Sequence, residues 1–206
     1  MLKFNPPAEP ENFDAKARQP GNNWLEKNPD KKRPKDYWSN FKSDLADGFG
    51  NLCGYTVMYE PVGTVDHFLS CENHRDLAYE WSNYRFASGW INSSKGTLDN
   101  QILDPFEVED DWFEILLPSL QLVITDAVPE EKRQKAEFTL QRLPLQDDER
   151  VLRQRREWYK LYIDGDLTLT GLEKKAPLIA RAVRKQQANS QLFNQNFPPD
   201  KYHFLN

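Results

Sequence analysis

The chain has 206 residues, a formal net charge of −5, six Trp and twelve Phe, which suits one domain with an aromatic core and polar ends. No apolar run approaches the roughly 20 residues that a membrane-spanning helix needs, and no apolar stretch of a secretory leader opens the chain. Cys53 and Cys71 are the only cysteines, which argues against a disulfide scaffold and for a reduced, cytoplasmic protein; the mild negative charge disfavours nucleic acid as a partner only weakly, because a small site needs no more than a local positive field.

Residues 1–34 are rich in Pro, Asn and charge (Pro6-Pro7, Pro10, Pro20-Gly21-Asn22-Asn23, Pro29, Lys31-Lys32-Arg33-Pro34) and predict a largely disordered, extended arm in which only Trp24 and Leu25 dock locally. Over 36–49, the spacing of Tyr37, Trp38, Phe41, Leu45 and Phe49 predicts an amphipathic helix that stops near Gly48 and Gly50. Residues 52–69 read as a β-hairpin: Tyr55 to Tyr59 strand-like, Glu60-Pro61-Val62-Gly63 turning, Thr64 to Leu69 returning. A polar loop over 70–76 and a short irregular piece from Leu77 to Trp81 follow. Asn83 is well placed to cap a helix from Tyr84 to Lys95, with Gly96 as its stop.

An acidic loop runs from Asp104-Pro105-Phe106 to Asp110-Asp111. Trp112 to Leu117 and Leu120 to Thr125 then predict a second hairpin around Pro118. Three helices follow, over 129–143, 147–163 and 169–187, the middle one capped by Asp147 with Val151, Trp158 and Tyr162 on its apolar face. The final twenty residues are rich in Asn and Gln and read as loose. The chain carries no internal repeat.

One constellation stands out. Asp66-His67 ends an apolar, β-branched run; Asn83 follows within Trp81-Ser82-Asn83-Tyr84, and Asn92 within Ile91-Asn92-Ser93-Ser94-Lys95. This order resembles the HNH endonuclease motif in its Asn-ending variant. The likeness extends to Leu52-Cys53-Gly54-Tyr55-Thr56, which looks like the Cys-x-Tyr-Cys strand ahead of the Asp-His pair. Tyr79-x-Trp81-x-Asn83-Tyr84 and Asn92-x-x-Lys95-Gly96 are similar to the subgroup found in bacterial defence cassettes and mobile elements. The resemblance covers about residues 36–106.

The resemblance implies a ββα-metal core and divalent-metal-dependent hydrolysis of DNA phosphodiesters. His67 would be the general base, its ordinary pKa near 6.5 suiting proton removal from water. Asp66 and Asn92 would ligate Mg²⁺ or Mn²⁺, oxygen donors that leave positions for water and phosphate. Asn83 would brace the loop and orient His67. Lys95, one helical turn after Asn92 and so on the same face, would contact a substrate phosphate, with Arg85 a weaker candidate. Some cassettes of this kind pair the HNH protein with an ATPase, which implies a second protein subunit besides DNA, and no membrane. The chain departs from the family where Cys-x-x-Cys pairs usually hold zinc: Thr56 follows Cys53, and Ser88 and Ile91 stand at the second pair. A structural zinc is therefore not expected.

Rival readings remain open at this level. Cys53, His67, Cys71 and His74 have a spacing found in zinc sites and would make a non-enzymatic binding module. A degenerate HNH fold could recruit a partner or DNA without cutting. Asn83 reads equally as a helix cap, Asn92 and Lys95 as solvated helix residues. The basic sets Arg150, Arg153, Arg155, Arg156, Lys160 and Lys174, Lys175, Arg181, Arg184, Lys185 are either solvated helix faces or a wall for a nucleic-acid backbone or a partner. The expected organisation is α+β: a flexible arm (1–34), an HNH core (35–106), a hairpin with a helical extension (107–190) and a loose tail (191–206).

Overall fold

A computed structural model describes the backbone of residues 1–196 and the side chains of residues 1–192. Those residues form an α+β fold in which two small antiparallel sheets are embedded among helices.

The N-terminal segment departs most from expectation. A π-helical turn, Asp14–Arg18, runs into helix α1, Gln19–Lys27. Pro20, which has no amide N–H to donate, lies at the junction where the π-helical turn passes into α1. Met1, Phe13 and Ala17 are fully buried. The Phe4 amide donates to Pro105 O at 2.9 Å and Trp81 Nε1 donates to Pro7 O at 2.8 Å. At Gly21 the backbone lies against the Tyr79 ring, where a Cβ would come within 2.4 Å. The arm expected to be disordered is thus folded onto the middle of the chain. Its composition gave it no core of its own; the apolar surface that orders it belongs to residues far along the chain, from Phe41 and Phe49 to Tyr79, Trp81 and Tyr84.

The helix expected over 36–49 is a 3₁₀ turn, Ser39–Phe41, followed by α2, Lys42–Gly48. The hairpin expected over 52–69 does not form. Cys53 to Met58 is a tight turn closed by Cys53 N to Met58 O (3.0 Å) and Val57 N to Cys53 O (2.9 Å), with a lone bridge between Leu52 and Tyr59. Val57 sits at φ +56°, a left-handed conformation that is strained for a β-branched residue.

Strand β1, Thr64–His67, pairs instead with β2, Tyr84–Ala87, so that Asp66 faces Arg85 and His67 faces Tyr84. Tyr84 therefore begins a strand and not a helix, and Asn83 closes a 3₁₀ turn instead of capping a helix. Helix α3 is the shorter Gly89–Lys95. Two strands and a helix do come together, from a different division of the same residues.

The second hairpin appears where expected, as β3, Phe113–Leu116, and β4, Gln121–Ile124. Helices α4, Glu130–Arg142, and α5, Glu149–Ile163, follow. Asp148, not Asp147, caps α5 by accepting from the Arg150 amide at 3.0 Å. The last expected helix is two, α6, Leu169–Lys175, and α7, Pro177–Asn196. Pro177 cannot continue a helix from Ala176 but is tolerated in the first turn of the next. Of the expected loose tail, 191–196 ends α7 and 197–206 lies outside the described residues.

Strand alternation splits the core in two. Val65, Tyr84 and Phe86 join Phe13, Trp38, Phe41, Leu45, Tyr79 and Trp81 in an aromatic cluster. Tyr55, Phe68, Ala87 and Ile91 join the cluster built on β3, β4 and the C-terminal helices. No helix among the described residues is long and apolar enough to cross a membrane.

Phe13 meets Phe41, Trp81 and Tyr84 edge-on, with ring centroids at 5.0, 5.2 and 5.8 Å. Phe13→Ala should therefore lower unfolding stability by about 3–5 kcal/mol, as for other buried aromatics. Urea denaturation checks this; a midpoint shift near zero would show that the N-terminal segment is not part of the core.

Candidate active site

Asp66 is 1% exposed, and both carboxylate oxygens have partners. Lys95 Nζ lies 3.0 Å from Oδ1, and the Tyr55 hydroxyl donates to Oδ2 at 2.6 Å. Lys95 Nζ also donates to the His67 carbonyl at 2.7 Å. The ammonium is itself fully buried, and its position follows from α3 packing on β1. Burial, with the Asp66 charge beside it, pushes the Tyr55 phenol well above its ordinary value, so it remains a donor. The strained turn Cys53–Met58 is what brings Tyr55 beneath the strand.

His67 points to the other side of β1, as neighbouring strand residues do. Its ring packs against Trp38 and Tyr84, at centroid distances of 4.6 and 4.9 Å. Nε2 is 2.9 Å from Ala78 O. A carbonyl only accepts, so Nε2 carries the hydrogen and Nδ1 is the basic nitrogen of the neutral ring. Burial lowers the imidazole pKa, opposed by the Ala78 carbonyl and the Asp66 charge. The ring is therefore neutral at pH 7.

Asn83 braces the loop between the strands. Its Oδ1 accepts from the Leu69 amide at 2.8 Å, and its Nδ2 donates to Leu69 O and Leu77 O at 2.9 and 3.2 Å. The Leu77 contact is one residue from the carbonyl that holds His67. Asn92, on α3, donates through Nδ2 to Thr64 Oγ1 and Val65 O at 3.0 and 3.3 Å, which orients its amide oxygen away from β1.

Asp66, His67 and Asn92 line one cleft of about 400 Å³, together with Arg33, Asp36, Trp38, Lys42, Ser70 and Cys71. Burial pushes the Cys71 thiol up to about 11, so it supplies no thiolate at neutral pH. The two expected phosphate contacts are placed differently. Lys95 is spent on Asp66, and Arg85 forms a two-pronged ion pair with Asp104, at 2.7 and 2.5 Å, under the Phe106 ring. The cations at this cleft are Arg33 and Lys42, from the segment read as a flexible arm and from the start of α2. The Lys31-Lys32-Arg33 run was visible in the sequence, but its position beside His67 depends on packing of the N-terminal segment.

The four possible zinc ligands are dispersed. Cys53 Sγ accepts from the Ser88 amide at 3.4 Å, His67 is held by Ala78, and His74 lies 3.8 Å from Asp99. Among the described residues no three His, Cys, Asp or Glu side chains gather as a metal site. Asp66 and Asn92 bring a carboxylate and an amide to the cleft beside the imidazole, donor types that a hydrated Mg²⁺ or Mn²⁺ takes, but Asp66 is 1% exposed and the Tyr55 hydroxyl already holds one of its two oxygens. The Lys95 ammonium already shares the other. Comparison of the chain with protein-family models, curated proteins and solved structures finds no match.

Lys95→Met removes the counter-charge of a buried carboxylate. Such a break typically costs 3–5 kcal/mol. Asp66→Asn combined with Lys95→Met should recover much of that loss. A double-mutant cycle by chemical denaturation measures the coupling, and additive losses would show that the pair is not the bond described.

Proposed function

We propose that the chain is a divalent-metal-dependent endonuclease of the HNH type that hydrolyses phosphodiesters of DNA. The observation that carries this reading is the state of His67. Its Nε2–H is spent on a backbone carbonyl, its ring is neutral, and it shares a cleft with Asp66 and Asn92. A base fixed in one tautomer beside two hard oxygen donors suits proton removal from a water attacking a phosphodiester. The contact between Cys53 and Ser88 adds support, since these positions correspond to the two Cys pairs of zinc-bearing HNH proteins.

In this mechanism Nδ1 of His67 accepts the proton of the attacking water. Ala78 O and the rings of Trp38 and Tyr84, both roughly perpendicular to the imidazole, hold it in place. Asn83 positions the loop that carries Ala78. Asp66 and Asn92 would hold the ion, which when bound neutralises charge on the phosphate and stabilises the leaving 3′-oxygen. Tyr55 and Lys95 fix the Asp66 carboxylate. A role in a bacterial defence cassette, with an ATPase or other protein as second subunit, rests on the resemblance of the motifs alone.

A second reading is favoured by one observation: a buried ammonium already neutralises Asp66. On this reading the chain is a catalytically degenerate HNH-fold subunit that binds DNA or a partner without cutting. Nicking of supercoiled plasmid by the purified chain with Mn²⁺ separates the two. His67→Ala should lower the rate by about 10²–10⁴-fold, the usual contribution of a general base, while its unfolding midpoint shows that the fold is kept. Cleavage by the variant at the wild-type rate would remove His67 from the mechanism. Absence of cleavage by the wild type across Mg²⁺ and Mn²⁺ titrations would favour the degenerate subunit.

A further inference from the structure

We propose that Lys31, Lys32, Arg33, Lys35 and Lys42 form the wall that binds the DNA backbone and delivers it to the His67 cleft. The inference rests on the reading of the site as a nuclease and adds the surface that holds its substrate. Arg33 and Lys42 line the same cleft as Asp66, His67 and Asn92. Lys31 and Lys32 line an adjoining depression of about 250 Å³ that shares Cys71 with it. Four of the cations thus line the two depressions, and Lys35 continues the run in sequence two residues after Arg33. The acids among the lining residues of the two depressions, besides Asp66, are Asp36, Asp30 and Glu72. Asp36 is occupied, accepting from the amide and hydroxyl of Ser39 at 2.9 and 2.6 Å.

The strip differs from most of the other basic residues in how its charges are spent, although Arg153, Lys174 and Lys175 on the C-terminal helices also form no ion pair among the described residues. On the C-terminal helices Arg150 pairs with Asp148, Arg156 with Glu149, Lys160 with Asp164, Arg184 with Glu173 and Lys185 with Glu114. Arg155 is buried and donates to the carbonyls of Leu120, Leu145 and Gln146. Among the described residues none of the five strip cations is in an ion pair. Lys35 rests on the Tyr37 ring at 4.9 Å, Lys31, Lys32 and Arg33 are exposed, and Lys42 is half-buried.

The backbone beneath them is pinned. Arg75 donates to Asn28 O at 2.7 Å and also to Lys31 O, and the Tyr79 hydroxyl donates to Lys35 O at 2.7 Å. Pro34 is buried between them. Both anchors come from the loop between β1 and β2, the same loop that supplies Ala78 to His67. A run of lysines in a free tail is ordinarily a solvated surface. A run held at both ends against the catalytic loop presents its charge at a fixed place, with little ordering left to do on binding.

The test measures affinity of the full chain for duplex DNA in EDTA, by fluorescence anisotropy between 50 and 200 mM KCl. Each phosphate contact contributes about 0.9 to the slope of log K against log salt. Arg33→Gln with Lys42→Gln should lower that slope by about 1.8. Adding Lys31→Gln, Lys32→Gln and Lys35→Gln should lower it further. Arg150→Gln with Arg153→Gln and Arg156→Gln should leave it unchanged. Urea midpoints establish that each variant is folded. Unchanged slopes in the strip variants, or a loss confined to the α5 variant, overturn the proposal and leave the nuclease reading standing if plasmid nicking is still lost in His67→Ala. A strip-dependent slope without metal-dependent nicking supports the wall and overturns the nuclease. Wild-type protein that does not bind duplex DNA at 50 mM KCl overturns the proposal.

Discussion

The Asp66 carboxylate, buried between the Tyr55 hydroxyl and the Lys95 ammonium, ties together the parts of the chain that make the site. Tyr55 comes from a strained turn, Asp66 from β1 and Lys95 from α3. An unpaired carboxylate at this depth would cost several kcal/mol, so the three must assemble together. Lys95 also donates to the His67 carbonyl. The same cation therefore anchors the helix that carries Asn92 and the strand that carries His67.

The opposite side of β1 is organised by aromatic rings. His67 is wedged between Trp38 and Tyr84, and those rings continue into a cluster with Phe13, Phe41, Tyr79 and Trp81. The N-terminal segment is the outer layer of that cluster. It also carries the Lys31–Lys35 strip. One stretch of chain thus completes the core behind the imidazole and edges the cleft in front of it, so that the packing of Phe13 and Gly21 determines where the cations stand.

What could be read from the sequence follows the range of the interactions. The hairpin around Pro118 and the first two helices after Pro129 depend on neighbours in sequence, and they appear within a few residues of expectation, whereas the third expected helix is broken at Pro177. The pairing of Thr64–His67 with Tyr84–Ala87 spans a long loop, and Tyr84-Arg85-Phe86-Ala87 satisfies a strand or a helix pattern equally. A local turn at Glu60–Gly63 made the nearer strand partner seem obvious, but Val57 adopts a left-handed conformation that β-branched residues seldom take. The order of Asp66, His67, Asn83 and Asn92 was visible; Asp66, His67 and Asn92 line one cleft, and Asn83 braces the loop beside it. The engagement of Lys95 was not. A lysine after a helical turn reads as exposed unless the carboxylate that buries it is known, and Asp66 lies 29 residues earlier in the sequence. The folded N-terminus was hidden for the same reason: its prolines and charges describe a segment without a core, not the aromatic surface waiting for it.

Charge placement, more than total charge, decides what such a surface can bind. The net charge of −5 is distributed so that many acids neutralise nearby cations on the C-terminal helices. Fields from exposed charges fade over a screening length of about 8 Å at physiological ionic strength. A polyanion at the cleft would therefore feel Arg33 and Lys42 far more than acids on the far side of the molecule. Inside the cleft, Asp66 is already neutralised by Lys95, so the strip's field is not cancelled by the carboxylate beside it. The buried pair that holds the core together thereby leaves Arg33 and Lys42 opposed at the cleft by Asp36 alone.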